Sequence, residues 1–199
     1  MPSEIEAKFL HVDHDVLRAK LTQLGGVCDH ENRLMRRTMF DFADHGLKKQ
    51  HKRLRVRDEG NKVTVTFKAR QQDTPYAAEI ETVVESYEAM EKIFNAVGLE
   101  SKSYQESKRE TWRYMDCEVV LDEWPWLDSY IEIEGSSEES IQACADALGF
   151  DWSQAVYGSV DRAYMHDYPG MTDDDTIGYV DRVAFDEPLP DYLKERKTV

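Results

Sequence analysis

Residues 53–68 read Arg53-Leu54-Arg55-Val56-Arg57-Asp58-Glu59-Gly60-Asn61-Lys62-Val63-Thr64-Val65-Thr66-Phe67-Lys68. Two runs of strict alternation flank a turn. Successive side chains on a strand point to opposite faces. Arg53, Arg55 and Arg57 therefore share one face, and Leu54 and Val56 the other. Thr64, Thr66 and Lys68 likewise oppose Val63, Val65 and Phe67. Between the runs, Asp58-Glu59-Gly60-Asn61 is a hairpin signal, with Gly and Asn where positive φ is expected. One face of this hairpin is apolar and the other polar and cationic.

The same alternation recurs along the chain. Glu4, Glu6 and Lys8 oppose Ile5, Ala7 and Phe9. Glu79 and Glu81 flank Ile80, and Glu132 and Glu134 oppose Ile131 and Ile133. Further strands are expected over 33–42, 77–84, 104–114 and 118–121. Helices are expected over 15–24, before Gly25-Gly26, and over 87–97, before Gly98. Another opens at Ser136 to Glu139, at capping-box spacing, and ends at Gly149. A last short helix is expected over 159–168. Many strands, few helices and no regular strand–helix alternation give an α+β, mainly-β class.

A wet charged face is ordinary for an antiparallel sheet. Here the charges are sorted, with carboxylate pairs on three strands and Arg or Lys on others. If the apolar faces look outward to helices, the charged faces look inward. The expected architecture is an eight-stranded antiparallel closed β-barrel, a charged tunnel with helices packed outside.

Length and composition agree with a soluble domain. The chain has 199 residues, 41% hydrophobic and 33% charged. No apolar run approaches the ~18 residues of a membrane span. The opening residues lack the apolar core of a secretory signal, and Cys28, Cys117 and Cys144 form neither a metal spacing nor a disulfide framework. A cytoplasmic location is expected. The net charge of −15 argues against a nucleic-acid surface. It is unevenly spread: residues 114–199 carry 21 acidic and 5 basic residues, residues 1–113 carry 19 and 20. The main domain is expected over 1–168. Residues 169–199, with Asp173-Asp174-Asp175, Pro188 and Pro190, read as an acidic tail or arm that adds nothing to the core but packs along the domain or across a partner, and invite a homodimer.

Inward carboxylate pairs repel unless a cation neutralises them. Hard oxygen donors select Mg2+ or Mn2+. Clustered Arg and Lys beside them suit several phosphates, since a guanidinium binds phosphate oxygens bidentately. Together these features describe a site for a metal-bound polyphosphate.

The ordered motifs resemble the CYTH domain, the triphosphate tunnel metalloenzyme family. Glu4-Ile5-Glu6-Ala7-Lys8 is similar to its ExExK signature. Leu54-Arg55-Val56-Arg57, Thr66-Phe67-Lys68, Glu79-Ile80-Glu81, Arg109, Leu121-Asp122 and Ile131-Glu132-Ile133-Glu134 follow in the family's order, over about residues 1–165. The resemblance implies an eight-stranded tunnel and Mg2+ or Mn2+. It implies metal ligation by Glu4, Glu6, Glu81, Asp122, Glu132 and Glu134, and triphosphate binding by Lys8, Arg55, Arg57, Lys68 and Arg109. Lys8, Glu4 and Glu6 would form the catalytic group. Substrates in the family include inorganic triphosphate, thiamine triphosphate and, for class IV adenylyl cyclases, ATP.

Many relatives carry a Lys two residues before the position of Arg109. Here that residue is Ser107, and Lys108 has the opposite parity unless a β-bulge restores it. Trp124-Pro125-Trp126 reads as packing. Lys48-Lys49-Gln50-His51-Lys52-Arg53 reads as a hairpin edge attracting anions at the tunnel mouth. The six histidines show no zinc spacing, and His11 and His14 read as surface residues. No Walker A, GxGxxG or GxSxG motif is present.

Hydrolysis of a triphosphate is the leading expectation. A class IV adenylyl cyclase is the close alternative, and a non-catalytic polyphosphate- or nucleotide-binding module the second.

Overall fold

The computed structural model describes residues 5–71, 77–172 and 175–196. Eight strands form one antiparallel sheet: β1 (Ile5–Phe9), β2 (Val27–Phe42), β3 (Lys52–Asp58), β4 (Val63–Arg70), β5 (Ala77–Val84), β6 (Leu99–Tyr114), β7 (Cys117–Glu123) and β8 (Tyr130–Gly135). Their spatial order is β1-β8-β7-β6-β2-β3-β4-β5. The hairpin of residues 53–68 forms as expected, and Gly60 supplies the positive φ at its turn. Asn61 does not.

The apolar faces look outward. Helix α1 (His14–Gln23) is capped by Asp13, whose carboxylate accepts from the N–H of Asp15 and Val16. It packs with Leu17 and Leu21 against Ala7, Phe9, Val119, Leu121, Ile131 and Ile133. A four-residue helix, α2 (Gly46–Lys49), follows β2. Helix α3 (Tyr87–Ala96) packs with Tyr87 and Phe94 on Phe40, Val56 and Leu99. Helix α4 (Glu138–Leu148) completes the first cluster with Ile141, Ala145 and Leu148. Its capping box runs from Ser137 to Ser140, one residue later than Ser136 to Glu139. Each buried Leu or Ile contributes about 1.5–3 kcal/mol of transfer free energy.

The sheet curls so that its polar face is concave. Lys68 on β4 and Glu132 on β8 are separated by four intervening strands, yet the Lys68 charge acts on the Glu132 carboxyl. A flat sheet would hold them about 24 Å apart, at ~4.8 Å per strand.

The expected closed barrel is not formed. The sheet is an open half-barrel, with no pairing between β1 and β5 among the described residues. The backbone explains this at β1. The Lys8 N–H donates to the carbonyl of Val156, and the Val156 N–H donates to that of Lys8. The strand edge that closure would need is taken at this point by the chain after α4.

The C-terminal segment packs on the sheet rather than trailing from it. Helix α5 (Asp161–Asp167), strand β9 (Arg182–Val183) and helix α6 (Asp191–Lys194) belong to it. Strand β9 pairs in parallel with β6 at Tyr104 and Gln105. Met171, Ile177, Val183 and Leu193 join Trp124, Tyr130, Tyr164 and Tyr168 in a second core cluster. The expectation that residues past Pro169 add nothing to the core is therefore corrected. The acid-rich composition hid a set of widely spaced apolar anchors. Asp173 and Asp174 lie outside the described residues. Among the described residues, no helix is long and apolar enough to cross a membrane.

Candidate active site

Directly opposed residues of an antiparallel ladder share a face, so the register assembles the site. Glu6 pairs with Glu134 and Lys8 with Glu132. Asp122 pairs with Arg109 and Arg109 with Arg33. Gln105 pairs with Arg37, and Arg37 with Arg57. Arg55 pairs with Thr66 and Thr66 with Glu81, while Lys68 pairs with Glu79. The concave face therefore runs from carboxylates on β1 and β8, through arginines on β6, β2 and β3, to Lys68 on β4.

At the carboxylate end, Glu6, Glu132 and Glu134 each offer an oxygen within 4.8 Å of the others. This all-oxygen set fits a hard divalent cation. Glu4, the fourth expected ligand on this side, lies outside the described residues. Lys8 is 1% exposed, and its Nζ donates to Glu6 Oε1 at 2.7 Å and lies 3.2 Å from Glu132 Oε1. Burial alone would depress the ammonium, but Glu132 and Glu6 outweigh it and hold its pKa above the ordinary value. Burial would likewise raise the Glu132 carboxyl, and Lys8 and Arg109 pull it below the carboxylate range.

Asp122 stands apart from that set. Arg109 Nε donates to its Oδ1 at 2.8 Å, and Arg109 Nη2 to its Oδ2 at 2.5 Å. The same Nη2 reaches Glu132 Oε2 at 2.7 Å. Arg109 thus links Asp122 to the carboxylate cluster. Glu81 is on the far edge strand, where Thr66 Oγ1 donates to it at 2.8 Å. Lys68 Nζ lies 3.0 Å from Glu79.

The cationic centre is larger than the sequence suggested. Burial, then the charges of Arg55 and Arg57, lowers Arg37 to about 9. Its guanidinium lies 4.3 Å from the centroid of Trp124, and its Nε donates to Gln105 Oε1 at 2.7 Å. Burial, then Arg55 and Arg109, lowers Arg57 to about 10. Among the described residues of the concave face, three buried guanidinium nitrogens have no hydrogen-bond partner: Arg33 Nη1, Arg55 Nε and Arg57 Nε. Such donors are costly when unmet.

Arg33, Arg37 and Glu59 were not singled out in the sequence. In Arg33-Leu34-Met35-Arg36-Arg37-Thr38-Met39-Phe40 the alternation is blurred, because Arg36 and Thr38 bond to α3 on the convex side and Met35 and Met39 share the concave parity. Glu59 belongs to the turn, yet it folds under the arginines. Arg57 Nη2 donates to its carboxylate at 2.7 Å, and Arg33 Nε donates to its backbone carbonyl at 3.1 Å.

No bulge brings Lys108 inward. The β6–β7 register is continuous through Lys108 opposite Glu123. Lys108 Nζ lies 3.4 Å from Glu123 and 4.7 Å from the Phe185 ring centroid. The basic patch is also not a bare hairpin edge, since Lys48 sits over the Tyr179 ring and Lys49 faces Asp44. The Trp124 ring packs in the second cluster, as expected, and additionally faces Arg37.

The family model of the CYTH domain matches residues 2–155. The chain belongs to the CYTH domain family. No curated protein sequence matches it. Solved structures share the CYTH fold at low identity. A candidate adenylate cyclase from Vibrio parahaemolyticus is 16% identical, with a TM-score of 0.71 over 80% of this chain and 95% of that one. A conserved hypothetical protein from Pyrococcus furiosus is 19% identical, with a TM-score of 0.64 over 77% and 95%. A candidate adenylyl cyclase from Hippeastrum, described as having a dominant triphosphatase activity, is 14% identical, with a TM-score of 0.59 over 93% and 100%.

Proposed function

We propose that this CYTH-domain protein is a metal-dependent triphosphatase. The carrying observation is the meeting of two donor sets on one concave face. Three carboxylates converge at Glu6, Glu132 and Glu134, and a few strands away buried N–H groups of Arg33, Arg55 and Arg57 lack acceptors. A triphosphate with a bound Mg2+ or Mn2+ would engage both.

Glu6, Glu132 and Glu134 would hold the metal, joined by Glu4 of the same sequence motif, with Asp122 and Glu81 as further acidic groups of the site. Bound there, Mg2+ or Mn2+ would neutralise charge and polarise a phosphate oxygen. Arg55, Arg57, Lys68 and Arg109 grip the phosphates, and Arg33 and Arg37 extend the grip. Their fixed cations stabilise the charge that spreads over the transferring phosphoryl group. Lys8, held between two carboxylates, orients the terminal phosphate. Water supplies the attacking oxygen, the terminal P–O bond breaks, and inorganic triphosphate yields pyrophosphate and phosphate. Organic triphosphates such as thiamine triphosphate would lose their terminal phosphate in the same way.

Cyclisation of ATP is the alternative outcome, and the Vibrio neighbour's description keeps it in view. Phosphorus NMR of the protein with inorganic triphosphate and ATP, in Mg2+ and then Mn2+, separates the readings. Pyrophosphate and phosphate from triphosphate establish the hydrolase. Cyclic AMP with pyrophosphate from ATP establishes the cyclase. Binding without turnover of either leaves a binding module. Glu6→Gln should abolish most turnover while retaining phosphate affinity.

A further inference from the structure

Two of the histidines that show no zinc spacing in the sequence, His11 and His166, meet in space. His11 follows β1, and His166 and Asp167 close the last turn of α5. His11 Nε2 lies 3.3 Å from His166 Nδ1 and 3.1 Å from Asp167 Oδ1. His166 Nδ1 lies 3.1 Å from the same Asp167 oxygen. These atoms form a near-equilateral triangle. Four-coordinate Zn2+ with ligands at 2.0–2.1 Å has tetrahedral edges of roughly 3.3 Å.

His11 Nδ1 lies 3.0 Å from Asp128 Oδ2. Asp128 supplies the outer carboxylate that typically orients and strengthens a metal-binding imidazole.

We propose that His11, His166 and Asp167 bind Zn2+, with Asp128 positioning His11. The two-nitrogen, one-oxygen donor set suits zinc and differs from the all-carboxylate set at Glu6. His11 and His166 are 44% and 56% exposed in their side chains, so a fourth position opens to solvent or an added ligand. A cleft of about 750 Å³, lined by His11, Asp128, Trp124 and Trp126, lies alongside. The ion would pin α5 to the end of β1, joining segments 155 residues apart.

The test is calorimetric titration of Zn2+ into the full chain in excess Mg2+, with Co2+ absorption as a second readout. Wild-type protein should bind a single Zn2+ in this class, and its thermal midpoint should rise with free Zn2+. His11→Ala, His166→Ala and Asp167→Asn should lose this class and the thermal shift. Asp128→Asn should weaken it about 10- to 100-fold. Glu6→Gln should leave it intact, which separates it from the concave face. Wild-type affinity retained in His11→Ala and His166→Ala overturns the proposal, as does a wild-type protein that binds no Zn2+ there. The exposed histidines can be replaced without opening the core.

Discussion

Lys8 sits between Glu6 and Glu132, 2.7 Å from one carboxylate and 3.2 Å from the other, on the strand that also sends Ala7 and Phe9 into the core. Its ammonium supplies charge compensation inside a group of carboxylates that would otherwise repel. Removing one partner of a buried ionic group typically costs about 3–5 kcal/mol. Lys8→Met should lower stability by about that amount in chelator. Mg2+ or Mn2+ should restore more stability to the variant than it adds to wild type. Denaturant unfolding with and without metal reads both effects.

Arg37 carries a charge that the ligand-free protein compensates poorly. Burial lowers its pKa to about 9, and Arg55 and Arg57 add to the effect. A base depressed by folding costs stability below its folded pKa, so Arg37 holds its place through Trp124 and Gln105 against an electrostatic penalty. An anion relieves that penalty. Arg37→Met should leave ligand-free stability nearly unchanged but weaken triphosphate binding about tenfold to a hundredfold, the worth of a charged hydrogen bond. Titration calorimetry with inorganic triphosphate measures the loss. Equal affinity would place Arg37 outside the binding face.

Much of this was legible in the sequence, for a physical reason. Where one strand face meets helices and the other lines the charged concave side, the period-2 pattern is sharp, as in Arg53 to Arg57 and Ile131 to Glu134. Residues 77–84 were bounded as found. The pattern fails where both faces are mixed, which hid Arg33 and Arg37 on β2. It also fails in turns, which hid Glu59. Closure was over-read because alternation reports which face a residue takes and not which strand edge is free. Val156, from outside any strand, takes part of that edge. The meeting of His11 with His166 depends on how α5 packs beside Trp124 and Tyr130, and no local spacing encodes that.

Asp161 straps the C-terminal segment to the hairpin. Its Oδ2 accepts from Arg53 Nη2 at 3.1 Å and from Ser159 at 2.9 Å, and its Oδ1 accepts from Thr176 and from the N–H of Ile177. The Ile177 carbonyl in turn accepts from Ser103 and Gln105 on β6. Asp161→Ala should cost about 2 kcal/mol, since a buried backbone donor loses its acceptor. Hydrogen exchange should quicken around Ile177 and β9 while α1 and α4 stay protected. Uniform quickening would show that the segment does not open on its own.

Glu59 occupies the arginines that would hold phosphate. Arg57 Nη2 donates to it at 2.7 Å, and Lys62 Nζ lies 3.7 Å away. Burial disfavours its charge, but Arg57 and Lys62 together bring its pKa below the ordinary value of 4.5. A depressed carboxyl contributes stability that is present above its unfolded pKa and lost as pH falls through the folded one. Glu59→Gln should therefore lower stability near pH 7 and flatten the acid limb below pH 4.5. The same change leaves the guanidinium of Arg57 without its internal carboxylate. Inorganic triphosphate should then raise the thermal midpoint of Glu59→Gln more than that of wild type. A smaller rise would mean that Glu59 aligns Arg57 for phosphate instead of competing with it.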